Sequence, residues 1–102
     1  MKSTFIEFEL VDGTVELTLN FARLLKVKNH NKKLYDEFTK ILGKRNIDII
    51  FDSLKVIYVC YLCANSDKLD EVLSEEEFME KTPLNLATLN NTVSELLAPK
   101  KK

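Results

Sequence analysis

The chain opens on a two-residue alternation. Apolar and polar positions take turns over residues 6–10 and again over 15–19, with Asp12-Gly13 between them. A period of two marks a half-buried strand, and Asp-Gly suits the positive-φ positions of a type I′ turn. A two-residue loop there would pair Val11 with Thr14. The expected register then sets Leu10 against Val15, Phe8 against Leu17 and Ile6 against Leu19. All six side chains share one face, and Glu9/Glu16 and Glu7/Thr18 share the other. Phe5 falls on the opposite face from the apolar set, as a pairing edge or a partly exposed position. Two strands alone are marginal, so a hairpin over 5–19 needs a body to pack against.

After Asn20 the period lengthens to that of a helix. Asn20 is a good N-cap, and Leu19 can staple on Leu24, which opens a helix over 21–28. Asn29, His30 and Asn31 break it. A second helix over 32–42 places Leu34, Phe38, Ile41 and Leu42 at helical spacing, with Gly43 as its C′ residue. The third helix, 47–64, is unusual. Asp48, Asp52 and Lys55 share one narrow arc, Ser53 stands apart, and apolar side chains cover about two-thirds of the circumference. Such a helix is central to a core or shared with a partner. A fourth helix over 74–82 starts at a Ser74/Glu77 capping box with a Leu73/Phe78 staple. Glu75, Glu76 and Glu77 sit at the positive end of its dipole, and Pro83 ends it. Asn85 caps a fifth helix over 86–97, whose stripe is Leu86, Leu89, Val93, Leu96 and Leu97, with Leu84 placed to staple on Leu89. The predicted fold is α+β and mainly α: an N-terminal β-hairpin followed by five helices around a central apolar helix. It forms one compact domain over 1–98, followed by a lysine tail over 99–102.

Composition narrows the chemistry. A chain of 102 residues has the length of one domain and can bury one core. A formal net charge of −1 gives no global field toward nucleic acid or anionic membrane. The first ten residues, "MKSTFIEFEL", lack the apolar block of a signal peptide. The stretch "VIYVCYLCA" falls short of the roughly 20 residues that span a bilayer. A cytoplasmic location with free thiols is the expectation.

Candidate catalytic groups are sparse. His30, the single histidine, lies between helices without other ligands near it. Gly13 and Gly43 stand apart, so there is no glycine-rich phosphate loop. Cys60 and Cys63 form a C-x-x-C, but at the end of a helix, where dipole and burial disfavour the thiolate. A structural zinc site would need a second ligand pair. They are expected to be buried structural thiols. The acidic run 75–77 is explained by capping. Lys26, Lys28, Lys32 and Lys33 form at most a weak patch without aromatic interleaving, so nucleic acid is not the expected partner. These residues therefore suggest a small binding protein with no cofactor, metal or catalytic constellation. The Leu54/Tyr58/Tyr61 side of the third helix should face the hairpin and its neighbours. The side bearing Ile49, Val56 and Cys60 is then covered either by the fifth helix, by another subunit through self-association, or by a partner helix. Ile49, Val56, Cys60 and Phe5 are the candidate partner-binding residues.

The blocks "FIEFELVDGTVELTLNF", "DIIFDSLKVIYVCYLCAN", "LSEEEFMEK" and "SELLAPKKK", in that order, resemble the tail assembly chaperones of long-tailed phages and prophages of Gram-positive bacteria. The resemblance runs from Phe5 to Lys102 and is thinnest over 43–47. It implies a non-enzymatic protein that binds the tape-measure protein, keeps it soluble and helps recruit tail-tube subunits. It implies action in the host cytoplasm and absence from the finished virion. It also implies a longer product made by programmed frameshifting near the end of the reading frame. Lys100, Lys101 and Lys102 can be encoded only by AAA or AAG, so they demand an adenine-rich message on which a ribosome can slip. The plain alternative for these lysines is a solvated tail. The alternative function is a small phage or prophage regulatory or DNA-binding protein, and DNA binding would need a basic recognition helix.

Overall fold

The apolar helix lies at the centre. The computed structural model describes residues 5–46 and 48–97. Its elements are β1 (Ile6–Leu10), β2 (Gly13–Leu17), α1 (Phe21–His30), α2 (Lys32–Leu42), α3 (Phe51–Ala64), α4 (Glu75–Lys81) and α5 (Leu86–Leu97). An antiparallel hairpin followed by five helices, mainly α, is the predicted fold class. β2, α1, α2, α4 and α5 all pack on α3, and every residue from Val56 to Cys63 is buried.

Local chemistry sets most boundaries. The Asn20 side chain accepts from the Arg23 N–H at 2.9 Å and caps α1. Asn31 serves two helices. Its N–H donates to the Val27 carbonyl at the end of α1, and its side chain accepts from the Leu34 N–H at the start of α2. Ser74 and Glu77 make both bonds of the capping box. Thr82 is extended at φ −83°, ψ 124°, as the residue before a proline must be, so α4 stops there.

Five expectations need correction. The hairpin register is slipped by two residues: Leu10 pairs with Gly13, Phe8 with Val15 and Ile6 with Leu17. The turn is therefore Val11-Asp12, with Gly13 at φ 155°. The cause lies outside the hairpin. The Val11 N–H donates to the Lys81 carbonyl at the end of α4, 2.8 Å away, and the Asp12 carboxylate pairs with the Lys81 ammonium. Val11 is thus pulled out of the ladder. A slip of two keeps each side chain on its face, so Phe8, Leu10 and Leu17 still enter the core. Just past the end of β2, the Thr18 N–H donates to the Cys60 carbonyl of α3 at 3.2 Å.

The second correction concerns α1, which runs on through Asn29 and His30, because Asn31 alone makes the break. Third, α3 begins at Phe51 rather than 47. The Asp48 carboxylate accepts from the Ile50 and Phe51 N–H groups at 2.8 Å each and spends that stretch as a cap. Ile47 lies outside the described residues. Fourth, Gly43 closes α2 at φ −92°, so the position makes no use of glycine's left-handed freedom. Fifth, Leu84 is almost wholly exposed and does not staple on the buried Leu89. The lysine tail also lies outside the described residues.

Phe8 is buried and stacks on Phe78, ring centroids 6.1 Å apart. Phe8→Ala is expected to lose about 3–5 kcal/mol of folding stability, measured by urea denaturation. A midpoint equal to that of the native protein would contradict this packing.

Candidate interaction surface

The few polar groups of α3 hold its neighbours in place. The Tyr58 hydroxyl donates to the Leu73 carbonyl at 2.8 Å, and the Tyr61 hydroxyl accepts from the Leu73 N–H at 3.0 Å. Both backbone groups of Leu73 are thus held from one helix, just ahead of the Ser74 cap. That clamp delivers Phe78 of α4 against Tyr61, with centroids 4.9 Å apart, and edge-on to Tyr58 at 5.5 Å. Lys55 projects between α2 and α4 and pairs with Glu37 at 2.6 Å and Glu75 at 3.1 Å. Burial lowers its pKa, but the hydrogen bonds to Glu37 and Glu75 outweigh that and leave it raised. The Lys55 hydrogen bond holds Glu37 below the usual carboxylate value. At the other end of α3, Arg23 of α1 donates to the Cys63 carbonyl at 3.1 Å and to the Ser66 hydroxyl at 3.3 Å. A cation there complements the negative end of the α3 dipole.

The cysteines are buried in the core and unbridged. Burial pushes the Cys60 thiol well above its ordinary 9.0, and the nearby Cys63 adds to it. Burial pushes Cys63 to about 12 against the opposing charge of Arg23. Thiols in that state are poor nucleophiles. Among the described residues no group of three or more His, Cys, Asp or Glu side chains could hold a metal ion. Among them, too, no helix is long and apolar enough to cross a membrane.

The four candidate partner-binding residues are not brought together. Val56 and Cys60 are fully buried within the chain, so the chain covers its own central helix and neither residue offers a surface. The sequence shows how apolar α3 is but not how many elements enclose it. Ile49 is 54% exposed, in the turn before α3. Phe5 is 39% exposed, with the Arg23 guanidinium 5.2 Å from its ring centroid. The lysine patch is largely engaged at home: Lys26 pairs with Asp67, Lys32 with Asp36, and Lys28 sits over the Tyr35 ring.

The structure exposes apolar residues that the sequence pattern did not single out. Phe21 is 90% and Leu25 55% exposed. They lie one turn apart on α1, within about 40° of each other around the axis, while Val27 of the same helix is buried. Phe51, the first residue of α3, is 63% exposed, close in sequence to exposed Ile49. The available signal was an excess: α1 carries Phe21, Leu24, Leu25 and Val27, more apolar positions than a ten-residue helix needs for one buried stripe.

The thiol shifts make a pH prediction. An acid with a raised folded pKa holds its proton longer in the folded state, so stability falls with pH between the unfolded and folded values. Stability from the cysteines is whole below pH 9.0 and declines as pH climbs toward about 12. Denaturant titrations across that window are expected to show a Cys60→Ala/Cys63→Ala protein losing less stability than the native one. Equal losses would show that the thiols are not held neutral. Comparisons of the sequence with known protein families and curated proteins, and of the fold with solved structures, found no match.

Proposed function

We propose that this chain is a non-enzymatic tail assembly chaperone of a long-tailed phage or prophage, which binds the tape-measure protein and helps recruit tail-tube subunits in the host cytoplasm. The order of the four sequence blocks suggests the family. The observation that carries the reading to a surface is the outward face of α1, where Phe21 and Leu25 are presented to solvent one turn apart. An apolar helix face in water favours a second amphipathic helix laid along it. A long helical protein before its assembly has many such helices and needs them covered. The DNA-binding alternative gains nothing from the lysines of α1 and α2, three of which are already engaged by Asp67, Asp36 and Tyr35.

The test is co-expression with the tape-measure protein of the same gene cluster. The native chain is expected to keep that protein soluble and to co-purify with it. Phe21→Glu/Leu25→Glu is expected to fold with a native-like melting curve and to leave the tape-measure protein insoluble, because both positions are exposed and a charge there costs the monomer little. Undiminished co-purification by the folded double variant would remove α1 as the contact.

The lysine codons make a separate prediction. Synonymous recoding of Lys100, Lys101 and Lys102 to interrupt the adenine run is expected to abolish a longer fusion product while leaving this chain at its native level. Equal amounts of longer product from native and recoded messages, read on an immunoblot, would refute it.

A further inference from the structure

The hairpin carries two features that the core does not explain. The first is electrostatic. Glu7 and Glu16 stand directly opposite each other across the strands, and both are exposed. With the turn at Val11-Asp12, Leu10/Gly13, Phe8/Val15 and Ile6/Leu17 are the hydrogen-bonded pairs. Glu7/Glu16 is therefore a non-hydrogen-bonded pair, the kind whose side chains approach most closely. Like charges in that position destabilise a hairpin. Glu9 adds a third carboxylate to the same face. Among the described residues no cation forms an ion pair with any of the three.

The second feature is geometric. Strand parity sends the Val11 N–H outward to Lys81 and the Thr18 N–H outward to Cys60. Glu7 and Glu9 on β1, and Thr14 and Glu16 on β2, share that parity. Among the described residues none of their backbone groups bonds beyond the hairpin. The open stretch of β2 borders a groove of about 270 Å³ against the last turn of α3, lined by Glu7, Thr14, Glu16, Tyr61 and Ala64 among others.

We infer that this groove takes an extended, basic segment of a partner protein, added to the sheet as a third strand beside β2 with a Lys or Arg side chain laid over Glu16 and Glu7. The open edge supplies main-chain hydrogen bonds, which give such strand addition its affinity. Side chains of an added strand alternate between faces, so those on the outer face meet the carboxylates. A cation there relieves the repulsion between Glu7 and Glu16 that the free protein carries. The wall formed by Tyr61 and Ala64 receives the aliphatic stem of a long basic side chain. A second copy of this hairpin is a poor occupant, because edge-to-edge pairing would set glutamates against their own kind. The inference does not rest on the tail-assembly reading, whose contact lies on α1.

The experiment measures amide hydrogen exchange of the full chain by NMR with a capped peptide of alternating Thr and Lys. The peptide is expected to slow exchange at the Thr14 and Glu16 amides and to leave the Glu7 and Glu9 amides unchanged. A peptide of alternating Thr and Glu is expected to do neither. The lysine peptide N-methylated on its pairing side is expected to lose the effect. Glu7→Gln/Glu16→Gln is expected to melt at a higher temperature than the native protein yet to bind the lysine peptide about tenfold more weakly. The inference is overturned by unchanged exchange at Thr14 and Glu16 at saturating peptide. It is equally overturned by protection of Glu7 and Glu9 instead, by equal protection from the glutamate peptide, or by undiminished binding to the double variant.

Discussion

A helix that is apolar on nearly every side must be enclosed, and α3 is such a helix. Each of its buried Val, Ile and Leu side chains contributes about 1.5–3 kcal/mol only while water is kept away. The remaining elements serve that requirement. The hairpin, α1, α2, α4 and α5 each lay an apolar surface against it, and their buried residues join one cluster with its own. Three polar groups of α3 reach its neighbours. Lys55 emerges between α2 and α4, and the two tyrosine hydroxyls reach the segment that leads into α4. Each of these groups costs little because its partner is already in place. Each also fixes a neighbour's position along α3 as well as its distance from it.

The hairpin illustrates how far a local structure depends on distant chain. Its turn residues lie at positions 11 and 12, but the group that selects them is the carbonyl of Lys81. Its second strand ends where Thr18 meets the Cys60 carbonyl. The hairpin is thereby tied at both ends to helices, while the middle of β2 borders a groove against the last turn of α3. Anchorage and openness follow from one parity: the outward groups at its ends have partners in the helices, and those between them bond nothing beyond the hairpin among the described residues.

Most of the fold was legible because its signals are local. α2 runs over 32–42 as its spacing demands, and Ser74 and Glu77 mark the start of α4 without help from the rest of the chain. The misses share a different cause. Asp-Gly identifies a turn, yet choosing between two registers of equal face pattern required the distant carbonyl of Lys81. The start of α3 shifted because Asp48 bonds backbone N–H groups that a helical pattern would have counted as interior. The candidate surface was the least legible part. The apolar excess of α3 can be satisfied by neighbours or by a partner, and periodicity contains no term that distinguishes them. Val56 and Cys60 went to neighbours. Phe21 and Leu25, on a helix that looked ordinary, were left outside.

Asn31 joins α1 to α2 with no loop at all. The end of one helix and the beginning of the next are satisfied by a single residue, so this corner has no slack. Most helix junctions absorb inserted or deleted residues in a flexible connection. Here one extra residue would turn α2 by about 100° relative to α1. Leu34, Phe38 and Ile41 would swing away from the core together. The corner therefore acts as an index mark: it transmits the orientation of α1 to α2 and confines length variation in this protein to other parts of the chain.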